Sequence, residues 1–127
     1  MVEEWKTPPY EWSGSKPEWA IWWALTQIGL KPEKDFIYQS PQAGGRLQLG
    51  GAVLDFYLPD RQLAINVQST YYHYAQTASK IHDQLTRAMM IGWGIEVIFI
   101  DEENALADPV YYVKEALALR DHSKATR

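Results

Sequence analysis

The stretch Ala52-Val-Leu-Asp-Phe-Tyr-Leu-Pro59, followed by Leu63-Ala-Ile-Asn-Val-Gln68, decides the fold of this chain. Both segments are mainly apolar and a short polar turn separates them, which predicts two antiparallel strands of a hairpin. Asp55 is the one charged residue in its strand, and Asn66 and Gln68 lie two positions apart on the second strand. Side chains two apart share one face of a strand. The pattern is typical of a metal-dependent phosphodiesterase site, with amides where a carboxylate and a lysine are expected.

The composition limits the function classes. A chain of 127 residues is long enough for one domain with a hydrophobic core. It has no Cys, which excludes disulfides and thiolate metal sites and fits a reducing, cytoplasmic compartment. No apolar run approaches the roughly 18 residues of a membrane span, so no membrane partner is expected. The net charge of −4 argues against general nucleic-acid binding, although the central residues 30–100 are neutral and leave local contact with DNA open.

The elements follow from periodicity and from helix-capping residues. We predict an aromatic N-terminal arm over residues 1–16, a single domain over 17–120 and a C-terminal tail over 121–127. The predicted elements are a helix from Pro17 to a stop at Gly29 with a cap near Ser15, a strand Asp35–Gln39, a Gly-rich loop Pro41–Gly51, the hairpin Ala52–Leu58 and Leu63–Gln68, a helix from about Tyr74 to Ile91, a strand Ile95–Ile100, and a last helix from Pro109 capped by Asp108.

The helix that crosses over after the hairpin has two predicted faces. Apolar residues at three-and-four spacing predict a buried stripe made of Ala78, Ile81, Leu85, Ala88 and Met89. Another face carries Lys80, Asp83, Gln84 and Arg87, and Asp83 and Arg87 have the spacing of a helical ion pair.

This order of elements, together with residues 51–100, resembles the PD-(D/E)XK nuclease superfamily. It is most similar to the branch of the very-short-patch-repair endonucleases. The motifs that carry the resemblance are Asp55-Phe-Tyr-Leu-Pro59, Ile65-Asn-Val-Gln68, Tyr71-Tyr-His73 and Gly92-Trp-Gly-Ile-Glu-Val-Ile-Phe99. It implies an α/β, restriction-endonuclease-like core in which helices flank a mixed four-stranded sheet, in the order αβββαβα.

The resemblance also implies roles for individual residues. Asp55 matches the metal-binding acid, Asn66 stands at the second acid, and Gln68 stands at the lysine. Glu18 matches an extra acid on the first helix, and His73 matches a His near the metal-bound water. The implied cofactor is Mg²⁺, held weakly because amides bring no charge to it. Contacts to DNA or phosphate are expected from Arg46, Lys80 and Arg87.

Each of these residues also has an interpretation without catalysis. Asp55 could pair with Arg46 or Arg87 as a strand-end acid, and the two amides could hydrogen-bond neighbouring backbone. His73 lies in an aromatic run, where a packed histidine is the more common case.

Two function classes stay open at this point. The first is a nuclease-fold protein of DNA processing with weak or absent Mg²⁺-dependent endonuclease activity. The second is a non-catalytic structural or adaptor subunit, for example of a phage-like assembly, located in the host cytoplasm or the virion. Trp5, Tyr10 and Trp12 of the arm are predicted to bind a protein partner or a second copy of the chain.

Overall fold

The computed structural model describes residues 4–38, 47–49, 52–68, 85 and 87–123 of the chain. Four helices are labelled here: α1 (Lys16–Ile28), α2 (residues 87–92), α3 (Glu102–Ala107) and α4 (Pro109–Leu117). The strands within these described residues are β1 (Ile37–Tyr38), β2 (Leu47–Leu49), β3 (Ala52–Leu54), β4 (Phe56–Leu58), β5 (Leu63–Gln68) and β6 (Glu96–Asp101). Short 3-10 turns occupy Glu4–Lys6 and Pro59–Arg61.

Four of the strands form one mixed sheet in the order β1-β4-β5-β6. The β1–β4 and β4–β5 pairs are antiparallel, and β5 and β6 are parallel with Leu63 opposite Glu96 and Gln68 opposite Asp101. A parallel pair needs a crossover connection, and α2 lies in the connection between these two strands. The predicted α/β class, with helices flanking a mixed four-stranded sheet, is confirmed at this level.

The first helix begins and ends where the sequence predicts. Ser15 is its N-cap and forms a capping box with Glu18, and Pro17 lies in the first turn. Gly29 ends the helix in the left-handed conformation at φ 109°, which a residue with a Cβ adopts only with strain. Asp108 likewise caps α4 by accepting a hydrogen bond from the Tyr111 N–H, as predicted.

The sheet has a hydrophobic cluster on each face. On one face, Ile65 of β5 and Ile98 of β6 belong to a core that includes Ile21 of α1 and Val113 of α4. On the other face, Ala64 of β5 belongs to a smaller cluster that also contains Leu54, Met90, Ile95, Val97 and Phe99. Because side chains alternate along a strand, Asn66 and Gln68 follow Ala64 onto this second face.

The predicted strand Ala52–Leu58 is wrong as one element. It is interrupted at Asp55, so that β3 pairs with β2 in a separate two-stranded sheet while β4 joins the main sheet. β2 itself lies within the predicted Gly-rich loop, which is a second correction. The local sequence does not reveal the interruption at Asp55, because contacts with the next strand cause it.

The predicted buried stripe of the crossover helix is also wrong in its described part. Leu85, Ala88 and Met89 are exposed, and Met90 is the buried residue. The reason is that Arg87 turns toward the sheet, where its guanidinium lies over the Phe99 ring at 4.8 Å. Ala78 and Ile81, and the start of this helix, lie outside the described residues.

The C-terminal residues are tied to α4 and to the sheet. Both Arg120 and His122 contact the Glu115 carboxylate, with His122 Nε2 2.9 Å from Oε1. The hydrogen bond from Arg120 is the main reason that the pKa of Glu115 lies at about 2, below its usual 4.5, and the contact with His122 adds to it.

A further helix, α3, was not predicted from the sequence.

Candidate functional site

Asp55 and β5 are joined by two hydrogen bonds that run in opposite directions. The Asp55 backbone N–H donates to Asn66 Oδ1 at 2.9 Å. The Val67 backbone N–H donates to Asp55 Oδ2, also at 2.9 Å. The last main-chain pair between β4 and β5 is Phe56 with Ile65, so these side-chain bonds continue the pairing after the ladder stops. They explain why the chain bends at Asp55, and they brace this residue against β5.

The two amides of β5 lie in the interior of the protein. Asn66 is 9% exposed and Gln68 is 8% exposed, and both follow Ala64 onto the face that α2 covers. Burial of an amide is costly unless it is hydrogen-bonded, and the Asp55 N–H supplies one bond to Asn66. The predicted backbone-bonding role of Asn66 is therefore confirmed, and it coexists with its position beside the acid.

Asp101 is a buried acid that sequence reasoning did not place at the site. It ends β6, is 1% exposed, and lies opposite Gln68 in the parallel register. Asp101 is the N-cap residue of α3, yet its side chain does not cap that helix. An acid directly after a buried parallel strand is the sequence signal that could have identified it, because ligand sites in open α/β sheets gather at the carboxyl ends of strands.

Glu18 has a structural role that its position on α1 explains. Its Oε1 accepts hydrogen bonds from both the Ser15 N–H and the Ser15 hydroxyl, each at 2.9 Å. These bonds hold the first turn of α1, which packs on the α3 and α4 side of the sheet. Asn66 and Gln68 lie on the opposite face, so the structure does not bring Glu18 into one group with them.

Arg87 contacts the C-terminal residues of this chain. Its guanidinium donates to Asp121 Oδ2, which also accepts the Phe99 N–H at 2.9 Å. β6 lies at the edge of the sheet that the described residues form, and Asp121 thereby satisfies one of its outward N–H groups. The described contacts of Arg87 attach the C-terminal residues to the sheet, while its predicted contact with DNA stays a prediction.

Three predicted site residues, His73, Arg46 and Lys80, lie outside the described residues. In the described part of the chain, no three His, Asp or Glu side chains lie close enough together to hold a metal ion. The described hydrogen bonds place the Asn66 amide oxygen at the Asp55 N–H and the Asp55 carboxylate at the Val67 N–H. One carboxylate and neutral amide oxygens suit a hard cation in kind, but they supply little charge.

The aromatic arm packs partly on its own domain. The Trp5 indole N–H donates to the Leu106 carbonyl at 3.2 Å, and the Trp5 ring lies 5.1 Å from that of Trp23. Trp12 stacks on Tyr38 with ring centroids 4.8 Å apart. Tyr10, in contrast, is 103% exposed.

Comparison with known proteins gives no functional assignment, so a proposal of function depends on the geometry described above. No protein-family model, no curated protein and no solved structure matches the chain. No helix in the described part of the chain is long and apolar enough to cross a membrane.

Proposed function

We propose that this chain is a PD-(D/E)XK nuclease-like protein associated with DNA processing, with weak or absent metal-dependent endonuclease activity. The observation that supports it best is the placement of Asp55 at a strand interruption, hydrogen-bonded to β5 at Asn66 and Val67. An acid fixed against the neighbouring strand, with two amides on that strand, matches the positions that the family resemblance assigns to the metal site.

The same contacts explain why activity is expected to be weak. Asp55 Oδ2 and Asn66 Oδ1 each already accept a backbone hydrogen bond, which leaves fewer lone pairs for a cation. Mg²⁺, when bound, would polarise a phosphate oxygen and activate water. Gln68 offers no positive charge to the phosphate, whereas a lysine would stabilise the charge that develops in the transition state.

The proposal is tested by restoring the two missing charges. Natural protein and the double variant Asn66→Glu with Gln68→Lys are incubated with supercoiled DNA and Mg²⁺ or Mn²⁺. We expect little or no nicking by the natural protein and measurable nicking by the variant. A matched control, Gln27→Glu with Gln62→Lys, makes the same change of charge at two exposed amides and should leave the DNA intact.

The outcomes separate the interpretations. Robust cleavage by the natural protein that Asp55→Ala abolishes would establish an active enzyme and overturn the weak-activity part of the proposal. A folded double variant that neither binds Mn²⁺ in calorimetry nor nicks DNA would remove the nuclease proposal. Folding of each variant is checked by circular dichroism, because Asn66 and Gln68 are buried.

A second candidate is an adaptor that binds a protein partner through the arm. The observation that favours it is the position of Tyr10 at the tip of a turn, closed by the hydrogen bond from the Trp12 N–H to the Pro9 carbonyl at 3.0 Å. A fully exposed aromatic ring on an anchored turn is typical of a residue that inserts into a partner's pocket.

A further inference from the structure

Asp121 is held by two different kinds of donor at the edge of the sheet that the described residues form. Its Oδ2 accepts a hydrogen bond from the Arg87 guanidinium and a second, at 2.9 Å, from the Phe99 backbone N–H. The Asp121 side chain is 8% exposed and that of Arg87 is 22% exposed. A guanidinium and a backbone N–H are also donors that proteins use to bind a phosphate oxygen. The chain's own carboxylate therefore occupies a site that suits an anionic oxygen.

This anion site lies beside the candidate functional site. The Cζ atom of Arg87 lies 4.8 Å from the centroid of the Phe99 ring. Phe99 stands opposite Asn66 in the parallel register, so the two side chains are neighbours on the face that α2 covers. Arg87 thereby brings a positive charge to the face on which Gln68 supplies none. While the Asp121 carboxylate contacts Arg87, that charge is neutralised and attracts a phosphate only weakly.

The segment that carries Asp121, residues 120–123, is called the C-terminal strap below. Glu115 contacts its two basic side chains, and Asp121 Oδ1 accepts hydrogen bonds from the N–H and the hydroxyl of Ser123. Ser123 is buried, but none of the four residues is apolar, so the strap adds no apolar side chain to the core. Directly before it, Leu119 has a φ of 63°, a left-handed conformation that costs energy in a residue with a Cβ. These are the contacts of a segment that can open locally while the sheet stays folded.

We propose that the C-terminal strap inhibits this protein in cis, because Asp121 occupies the site at Arg87 and the Phe99 N–H that a DNA phosphate takes when the strap moves aside. The proposal rests on the proposed function in DNA processing and names a regulation of that site. A required opening step lowers the apparent affinity for DNA by the fraction of molecules in which the site is open. Removal of the Asp121 charge should therefore strengthen DNA binding more than removal of an exposed acid elsewhere.

The first experiment measures the binding of a fluorescently labelled DNA duplex to the full chain by anisotropy, without divalent cations so that no cleavage interferes. Asp121→Asn removes the charge and keeps an oxygen for the Phe99 N–H. Asp60→Asn is the matched control, because it makes the same change of charge at an exposed acid. We expect Asp121→Asn to bind at least about ten times more tightly than the natural protein, and Asp60→Asn to stay within about twofold of it. The slope of the logarithm of affinity against the logarithm of salt concentration should steepen by about one for Asp121→Asn, because one more phosphate is contacted.

A second replacement assigns the effect to Arg87. In the Asp121→Asn background, Arg87→Gln should return the affinity for DNA to the natural level or below, since the released guanidinium is then absent. A gain that persists in this double variant would overturn the proposal, and so would equal affinities of Asp121→Asn and Asp60→Asn. Tight binding by the natural chain that Asp121→Asn does not improve would also exclude inhibition by the strap, while the proposed function in DNA processing would stand.

Inorganic phosphate tests the anion site without DNA. In Asp121→Ala both donors lose their acceptor, so phosphate should shift the NMR amide resonance of Phe99 with an affinity at least about ten times that in the natural protein. Asp121→Asn takes its place if Asp121→Ala does not fold. A folded variant in which phosphate leaves the Phe99 resonance unchanged would overturn the proposal. A clear response to phosphate, together with no DNA binding by any of these proteins, would support the anion site under the strap and remove the proposed function in DNA processing.

Discussion

Asp55 and Asn66 contact each other through the backbone of one and the side chain of the other, since the Asp55 N–H donates to Asn66 Oδ1 at 2.9 Å. The Asp55 carboxylate in turn accepts the N–H of Val67, the residue after Asn66. Both residues thus have a structural role at the end of the β4–β5 ladder, in addition to any role in binding a cation. Experiments on this site have to separate the two roles, which the choice of replacement makes feasible.

For Asp55, the acceptor oxygen and the negative charge can be removed separately. Asp55→Ala should lower the free energy of unfolding by about 1–3 kcal/mol, because the Val67 N–H loses its partner in a half-buried setting. Asp55→Asn keeps an acceptor oxygen and should recover most of this loss. Urea denaturation of the three proteins measures the difference. If Asp55→Ala were as stable as the natural chain, the hydrogen bond to Val67 would have no structural importance.

For Glu18, the expected effect is on helix stability. Glu18→Ala removes the side chain that reaches back to the Ser15 N–H and should cost about 0.5–1 kcal/mol, while Glu18→Gln keeps an acceptor and should cost less. Thermal unfolding measures both. Glu18→Gln is also the informative variant for the predicted metal role. A loss of Mn²⁺ affinity at unchanged stability would support that role against the capping interpretation.

How much of the fold the sequence predicts depends on whether the signal is local. Ser15, Gly29 and Asp108 end or begin helices through contacts within a few residues, and these boundaries were predicted correctly. The interruption at Asp55 was missed, because it results from contacts with Asn66 and Val67, which are eleven and twelve residues away.

The candidate site follows the same division. Asp55, which lies between β3 and β4, and Asn66 and Gln68 of β5 were predicted as site residues from spacing and from the family resemblance. Asp101 was missed although it follows a predicted buried strand, and the parallel register places it opposite Gln68. The contact of Arg87 with Asp121 spans 34 residues and has no local signal.

The ion pair between Arg87 and Asp121 should stabilise the protein through the sheet edge. Asp121 accepts from both Arg87 and the Phe99 N–H, so a double-mutant cycle with Arg87→Ala and Asp121→Ala should give a coupling of about 1–3 kcal/mol. The pair of Glu115 with Arg120, whose side chain is 62% exposed, serves as the control and should couple more weakly. Equal coupling in the two pairs would mean that burial at the sheet edge adds nothing.

Glu115 should make the stability depend on acidity in a defined window. Hydrogen bonds from Arg120 and then His122 hold the pKa of Glu115 at about 2, below its usual 4.5. A carboxyl whose pKa is lowered on folding contributes stability that is complete above its unfolded-state pKa and is lost as the pH falls toward the folded value. The natural protein should therefore lose part of its free energy of unfolding as the pH falls from 4.5 to 2. Glu115→Gln lacks this contribution at every pH. Urea midpoints measured across this range should converge for the two proteins. Parallel curves would show that Glu115 does not titrate as its contacts imply.

The arm offers a comparison of two aromatic residues with opposite surroundings. Tyr10 is fully exposed, so Tyr10→Ala should leave the free energy of unfolding within about 0.5 kcal/mol of the natural value. Trp12 stacks on Tyr38 and meets the edge of Trp19, so Trp12→Ala should cost about 1–3 kcal/mol. If Tyr10 is the residue that enters a partner, Tyr10→Ala should abolish binding of that partner with stability intact. Tyr10→Phe should retain most of it, since the ring supplies the buried area. A partner that binds Tyr10→Ala as well as the natural chain would leave the turn at Pro9–Trp12 without a role in recognition, and the adaptor interpretation would lose its structural support.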